Sequence, residues 1–348
     1  MMSKKFARRC AVALTVPALL VTAACGSEDD KEDSVKVSGK AGEQPKVSVG
    51  KDAKPPKKTV AKTLSAATGK EAKVAKGDFV RLDIVAKTVG GQSSQDLINT
   101  WKPDPGAKKG AARTQMVEQI GRESQLPGAV TKELVGKKPG SRVQVEGTAQ
   151  TLFGPQAAQM GMDPKQGMVW VMDIVSSTRT DKDASAKGDQ ESVEDGMPEV
   201  EVREKKPASF TIPKGEKPPK KLRSQKLIKG DGPEVKPGEG LVAQYTGVAW
   251  EDGEVFDSTK PQEKKKGEKE QPQNKDGVTA FQVGTKSVIS GWDKALAGSK
   301  VGDRVLLVVP PKEGYGSPEA LKQAQQSGQQ HPLAKKNLVF VVDVVDKV

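Results

Sequence analysis

Aromatic side chains are scarce in this chain, and where they gather is the first clue to its chemistry. The 348 residues hold 2 Tyr, 4 Trp and 7 Phe. Both tyrosines, Trp250, Trp292, Phe256, Phe281 and Phe340 fall within 241–348. They stand in short runs with small and polar residues. These runs are Tyr245-Thr246-Gly247, Gly253-Glu254-Val255-Phe256-Asp257-Ser258, Phe281-Gln282-Val283-Gly284, Val288-Ile289-Ser290-Gly291-Trp292, Pro311-Lys312-Glu313-Gly314-Tyr315-Gly316 and Leu338-Val339-Phe340. Groups for covalent or metal chemistry are almost lacking. His331 is the only histidine, which excludes a multi-His metal cluster and argues against a Ser-His-Asp mechanism. The two cysteines, Cys10 and Cys25, cannot build a zinc ribbon or a disulfide framework. A Ser-x-x-Lys spacing at Ser48–Lys51 has no accompanying SDN or KTG motif, so a wall hydrolase or transpeptidase is rejected. What remains is chemistry that uses few ionisable groups and calls for no metal or cofactor.

The elements that must position these rings are strands. Period-two alternation and β-branched enrichment predict strands at 79–85, 142–145 and 168–175, and again at 241–245, 304–309 and 337–345. Gly-punctuated turns, Leu134–Gly140 and Leu296–Gly302, precede the middle strand of each set. The shared order implies an internal duplication. A helix is expected at Gly291–Ala297, with Ser290 as N-cap, Asp293 completing a capping box and Gly298 as the stop. Each copy then reads as an α+β domain, a twisted antiparallel sheet with one short helix on a face.

Between these segments the composition softens. Residues 26–75 mix acidic and basic blocks with Pro55-Pro56, and 176–206 again lack aromatics. Both are read as disordered. Lys4, Lys5, Arg8 and Arg9 precede an apolar stretch, Ala11–Val21, of signal-peptide length. Thr22-Ala23-Ala24 before Cys25 resembles the lipobox of bacterial lipoproteins, with Thr22 where an aliphatic residue is usual. That resemblance implies lipidation at Cys25 and an extracytoplasmic, membrane-anchored chain. The expected organisation is a signal peptide over 1–24, a disordered tether over 25–75, a first domain over 76–175, a linker over 176–206 and a second domain over 207–348. The net charge of +12 favours anionic surfaces without specificity. The lysines are scattered through linkers without interleaved aromatics, so nucleic acid is not an expected partner.

In order and spacing the six ring-bearing motifs resemble the FKBP-type peptidyl-prolyl cis-trans isomerases over about 225–348. The resemblance implies a twisted sheet wrapped round a short helix with an aromatic pocket between them. Tyr245, Phe256, Phe281, Val288, Ile289, Trp292, Tyr315 and Phe340 would line it. Trp292 would be the floor and Asp257 the one carboxylate. The main-chain N–H of Ile289 and the hydroxyl of Tyr315 would bond substrate carbonyls. Proline-containing segments of unfolded secreted polypeptides are the implied partners, with macrolide inhibitors as a further ligand class. Three features depart from the family pattern: Thr279 replaces a second aromatic, Lys260–Asp276 is a charged insert, and Gln330-His331-Pro332-Leu333 precedes the last strand. His331 is expected at the rim.

Amide resonance gives the peptide bond a barrier of ~18–20 kcal/mol, so X–Pro bonds isomerise over about 10–100 s. The twisted amide is less dipolar than the planar one, and a dry apolar pocket disfavours the planar ground state by comparison. A rate gain of about 10⁴ needs only ~5.5 kcal/mol. The first copy resembles the same fold stripped of its site: strand alignment sets Asp83 against Tyr245, Pro127 against Trp292 and Phe153 against Tyr315. It is expected to be inactive, a spacer or binding surface. The alternative for the whole chain is a binding module or chaperone that recognises proline segments without accelerating them.

Overall fold

In the strands Arg304–Val309 and Leu338–Lys347 of the computed structural model most side chains are buried, and this two-sided burial sets the architecture. The structure describes residues 34–348 apart from 92, 104–109, 123, 125 and 262–276. The signal peptide, Cys25 and most of the insert therefore lie outside the described residues.

The N-terminal half opens with a hairpin of β1 (Val35–Ser38) and β2 (Lys46–Val49). Its sheet follows: β3 (Val60–Ser65), β4 (Phe79–Val89), β5 (Asp96–Asn99), β6 (Met116–Gln119), β7 (Arg142–Thr148) and β8 (Gly167–Thr178). Between β6 and β7 lies helix α1 (Gly128–Thr131), and between β7 and β8 lie α2 (Ala149–Phe153) and α3 (Gln156–Gln159). The C-terminal half repeats the plan. Hairpin β9 (Glu199–Glu201) and β10 (Ser209–Thr211) leads to β11 (Arg223–Ile228), β12 (Gly240–Ala249), β13 (Val255–Ser258) and β14 (Thr279–Gln282). Then come α4 (Ser290–Leu296), β15 (Arg304–Val309), α5 (Pro318–Ser327) and β16 (Leu338–Lys347). The strand orders are β3-β7-β8-β4-β5 with β6 on β4, and β11-β15-β16-β12-β13 with β14 on β12. All pairings are antiparallel.

Side chains alternate across each strand, so each sheet has two cores. Val305, Leu307, Val309, Phe340, Val342 and Val344 pack towards α4. Leu306, Val308, Val339 and Val341 pack on the other face against Met197, Val200 and Ala208 of the segment carrying β9 and β10. In the N-terminal half Trp170, Met172 and Ile174 join the α1 side. Val169 and Val171 meet Val35 and Val47 of the first hairpin and Ala53 just after it. Of the two segments expected to be disordered, 34–53 and 176–206 are thus straps that cover a sheet face, while Val60–Ser65 is the edge strand β3. Their few apolar residues are enough because each is set against a face already rich in valine.

Each strap is also tied by a buried ion pair. Arg142 grips Asp173 at 2.6 and 2.7 Å and donates to the carbonyls of Gly39 and Glu43, while Gly42 N–H donates to Asp173. At the corresponding place Arg304 grips Asp343 at 2.7 and 2.8 Å, and Ala186 N–H donates to Asp343. The duplication therefore includes the strap.

The expected turns form as paired repeats. Gly136 N–H bonds Val74 O as Gly298 N–H bonds Val235 O, and Gly140 N–H bonds Ile174 O as Gly302 N–H bonds Val344 O. Helix α4 covers the expected segment, but its N-cap is Ile289 and there is no side-chain cap. Ser290 Oγ instead bonds the Glu313 carboxylate, and Asp293 accepts from Gly284 N–H and Lys286 N–H. Residues 34–348 form one compact unit. The two sheets meet through Phe79, Val242, Val278 and Val348, with Thr178 and Thr180 hydroxyls bonded to Asp346.

Candidate functional site

The nine residues singled out in the sequence come from six places in the C-terminal half: β12 (Tyr245), β13 (Phe256, Asp257), β14 (Phe281), the entry to α4 (Val288, Ile289, then Trp292), the turn after β15 (Tyr315) and β16 (Phe340). Eight of them, all but Asp257, belong to one cluster on the α4 face. Trp292 is its centre, with only 6% of its surface exposed. Tyr245 meets it edge-on at 5.0 Å and 86° and Phe340 at 5.0 Å and 83°, while Phe281 lies tilted against it at 5.1 Å and 50°. Phe256 stands edge-on to Phe340 at 5.6 Å. Such edge-to-face geometry is favourable for ring quadrupoles. Tyr245, Phe256, Asp257, Phe281, Val288, Ile289 and Tyr315 are half-buried, so the cage is closed behind Trp292 and partly open at its rim.

Two glycines make the approach possible. A Cβ on Gly247 would stand 2.7 Å from the Phe340 ring and 2.8 Å from the Phe256 ring. A Cβ on Gly291 would stand 2.6 Å from Val309, so α4 could not settle on β15. The loop before α4 is shaped by Asp293, whose two bonds hold Gly284 and Lys286, the latter at φ 64°. Burial pushes the Asp293 carboxyl up, against those two backbone donors.

The polar part of the site is a coupled pair. The Tyr245 hydroxyl donates to Asp257 Oδ2. Burial first, then the charge of Asp257 and the bond to it, push the Tyr245 hydroxyl far above its ordinary range. Tyr245 therefore stays protonated and holds the carboxylate in place. Burial also raises the Tyr315 hydroxyl, with Asp257 adding to the effect. Tyr315 is stacked flat on His331, with centroids 3.8 Å apart and planes 9° apart. His331 is exposed, as expected of a rim residue. The aliphatic side chain that packs against the cage from this loop is Leu333. The Trp292 indole N–H is buried without a hydrogen-bond partner among the described residues. Among those residues no cluster of His, Cys, Asp and Glu could hold a metal ion.

The register places the first half against the second more securely than strand alignment does. Arg142–Asp173–Asp83 stand in line across β7, β8 and β4 as Arg304–Asp343–Gln244 do across β15, β16 and β12. Asp83 therefore matches Gln244, and Ile84, not Asp83, takes the place of Tyr245. The matched turns put Val130 where Trp292 stands and Pro127 where Ile289 stands. Both Pro127 O and Ile289 O accept the first helical N–H groups. Pro127 has no N–H to offer. Ile98 falls opposite Ala86 as Asp257 falls opposite Gly247, so the carboxylate is also replaced. Trp170 takes the place of Phe340 and lies 6.4 Å from Phe153.

Comparison with known proteins agrees with this geometry. A family model described as FKBP-type peptidyl-prolyl cis-trans isomerase matches residues 232–345. A probable FK506-binding protein of Corynebacterium glutamicum is 34% identical over 127 residues, 36% of this chain and 87% of that one. An FK506-binding protein of Streptomyces anulatus is 34% identical over 131 residues, 38% of this chain and 90% of that one. Peptidyl-prolyl cis-trans isomerase FPR2 of Saccharomyces cerevisiae is 33% identical over 110 residues, 32% of this chain and 66% of that one. The chain belongs to the FKBP-type peptidyl-prolyl cis-trans isomerases.

Proposed function

We propose that the Trp292 cage binds the prolyl ring of an extended substrate and lowers the barrier to rotation about its X–Pro bond, in polypeptides that fold outside the membrane. The observation that carries this reading is the cage itself: three rings around a buried indole, open at one rim and edged by the Tyr245–Asp257 pair. Burying the prolyl ring removes water from the imide, and a dry site favours the less dipolar twisted form. The N–H of Ile289 and the hydroxyl of Tyr315 hold flanking carbonyls, so the chain on either side of the bond is fixed while the bond turns. Asp257 receives the Tyr245 hydroxyl and keeps that wall upright. Macrolide inhibitors would occupy the same cage; the Corynebacterium and Streptomyces relatives are named for binding FK506.

The first half is a diverged copy without turnover, because its matching positions offer Ile84, Ile98, Pro127 and Val130. It serves as a structural and binding partner of the second. The N-terminal segment delivers the chain across the membrane and Cys25 carries its lipid. Replacing Cys25 with serine is expected to move the protein from the membrane fraction to the medium; retention on the membrane would overturn the lipid anchor.

The catalytic reading is tested with a protease-coupled assay on a short X–Pro peptide, using the full chain. The wild type is expected to accelerate isomerisation. Asp257→Val leaves the Tyr245 hydroxyl buried without its acceptor, a cost of about 1–3 kcal/mol, and is expected to lower kcat/KM by about 10-fold or more. Tyr315→Phe removes one substrate donor and should lose about 5-fold, in line with ~1 kcal/mol for a single hydrogen bond. The activity left in Asp257→Val also bounds what the first half supplies. No acceleration by the wild type would leave only the binding-module alternative.

A further inference from the structure

Phe281 and Gln282 are neighbours on β14, a strand of four residues, and point to opposite faces. Phe281 forms one wall of the cage. Gln282 is only 1% exposed and faces the first half of the molecule. Its side-chain amide makes bonds in both directions. Gln282 Oε1 accepts from Gln115 N–H at 2.8 Å, and Gln282 Nε2 donates to Arg113 O at 2.9 Å and Gly238 O at 2.8 Å. The same Gly238 O accepts from Arg81 at 2.8 Å. β14 pairs with β12 alone, outside the main strand order. It gains its lateral support from these bonds and from the apolar seam in which Val117 and Ala280 take part.

The anchor on the other side is itself fixed. Asp83, 3% exposed, receives both Arg113 terminal nitrogens at 2.8 and 3.1 Å and the Gln115 amide at 2.9 Å. Arg113 also lies over the Trp101 ring, 4.1 Å from its centre. Further along, the Thr114 hydroxyl donates to Thr285 O, on the loop that leads to Val288 and Ile289. A continuous path thus runs from Asp83 through Arg113 and Gln115 to Gln282, and from there to the wall of the cage. Asp83 is the residue that strand alignment sets in place of a substrate-facing tyrosine; the side chain is held instead by Arg113 and Gln115, whose main chain meets Gln282.

We infer that Gln282 is a positioning residue for isomerisation, holding Phe281 against the Asp83–Arg113–Gln115 platform, so that the degenerate first half is a working part of the second half's site. This rests on the cage being the isomerase site. A shift of about 1 Å in a substrate-contacting wall can cost up to ~10²-fold in rate. Loss of one lateral support, with β12 pairing retained, calls for a smaller effect.

The test compares full-length wild type, Gln282→Leu, Asp83→Asn and the double variant by initial rates over a range of cis-peptide concentrations, with urea unfolding alongside. Gln282→Leu is expected to lower kcat/KM by about 5- to 20-fold, carried mainly by KM because Phe281 is a binding wall. Asp83→Asn is expected to shift KM in the same direction by a smaller factor, and the double variant to lose less than the product of the two, as members of one network do. A merely structural role would lower the urea midpoint and leave KM unchanged. If Gln282→Leu does not fold, Asp83→Asn decides the matter by the same KM criterion. Wild-type kcat and KM in the folded variants, with Asp257→Val still impaired, would overturn this inference alone. An inactive wild type would overturn the reading of the site beneath it.

Discussion

Replacing Arg304 with methionine should destabilise the chain by about 3–5 kcal/mol, the usual cost of stranding one member of a buried ion pair. Asp343 is 3% exposed and would be left with the Ala186 N–H as its donor. Its partner now supplies two charge-assisted bonds at 2.7 and 2.8 Å. The pair is not itself a large net source of stability, because desolvating both ions offsets most of their attraction. Removing both charges, in Arg304→Met with Asp343→Leu, should therefore recover much of the loss. Urea unfolding of the full chain measures both. Since Asp343 also fastens the strap, the single variant should expose 181–198 to protease under native conditions. A loss below about 1 kcal/mol, or a double variant as weak as the single one, would contradict this account. Arg142→Met should behave alike, because Asp173 stands in the same relation to Gly42.

That strap shows where reading the sequence stops being enough. The strands, the Gly-bearing turns and the aromatic set of the second half are all legible, because period-two apolarity and rare rings are strong signals. The straps are not. Residues 176–206 carry no aromatic and many charges, and only Ala186, Met197, Pro198 and Val200 there are buried. The available signal lies elsewhere, in the unbroken apolar runs Val305–Val309 and Leu338–Val342. A strand with no polar side needs cover on both faces, and nothing but the adjoining soft segments could provide it. Helix α5 is a second case. Ser317 caps it, Pro318 opens it and Gly328 closes it at φ 70°, all readable marks. It buries no residue, so the apolar stripe that usually reveals a helix is missing. The capping box at Ser290 is the reverse error: the residue types are right, but Glu313 and the loop at 284–286 compete for the same side chains and win. Strand position alone sets Asp83 against Tyr245, one residue out of register, and Pro127 against Trp292, three residues out. The Arg–Asp pair that fixes the register is visible only once β7, β8 and β4 lie side by side.

Trp292→Ala is expected to cost about 3–5 kcal/mol in stability, the range for deleting a buried large ring, and to lower kcat/KM by about 10²-fold, or ~2.7 kcal/mol of barrier. Tyr245, Phe281 and Phe340 each lean on this indole, so its removal unseats three walls together. Trp292→Phe separates the two effects. It keeps a ring in the cage and deletes an N–H that is buried without a partner among the described residues. An orphaned donor costs about 1–3 kcal/mol, which offsets the loss of contact, so stability should change by less than about 1 kcal/mol. The first half contains its own control. Trp170 is 2% exposed and carries the same orphaned indole N–H, but it packs in the core of the half that lacks the Tyr, Asp and Ile N–H positions. Trp170→Ala should therefore match Trp292→Ala in the urea midpoint while keeping kcat/KM within about threefold of wild type under folding conditions. Equal losses of activity in the two alanine variants would mean that turnover follows global stability, not the Trp292 cage.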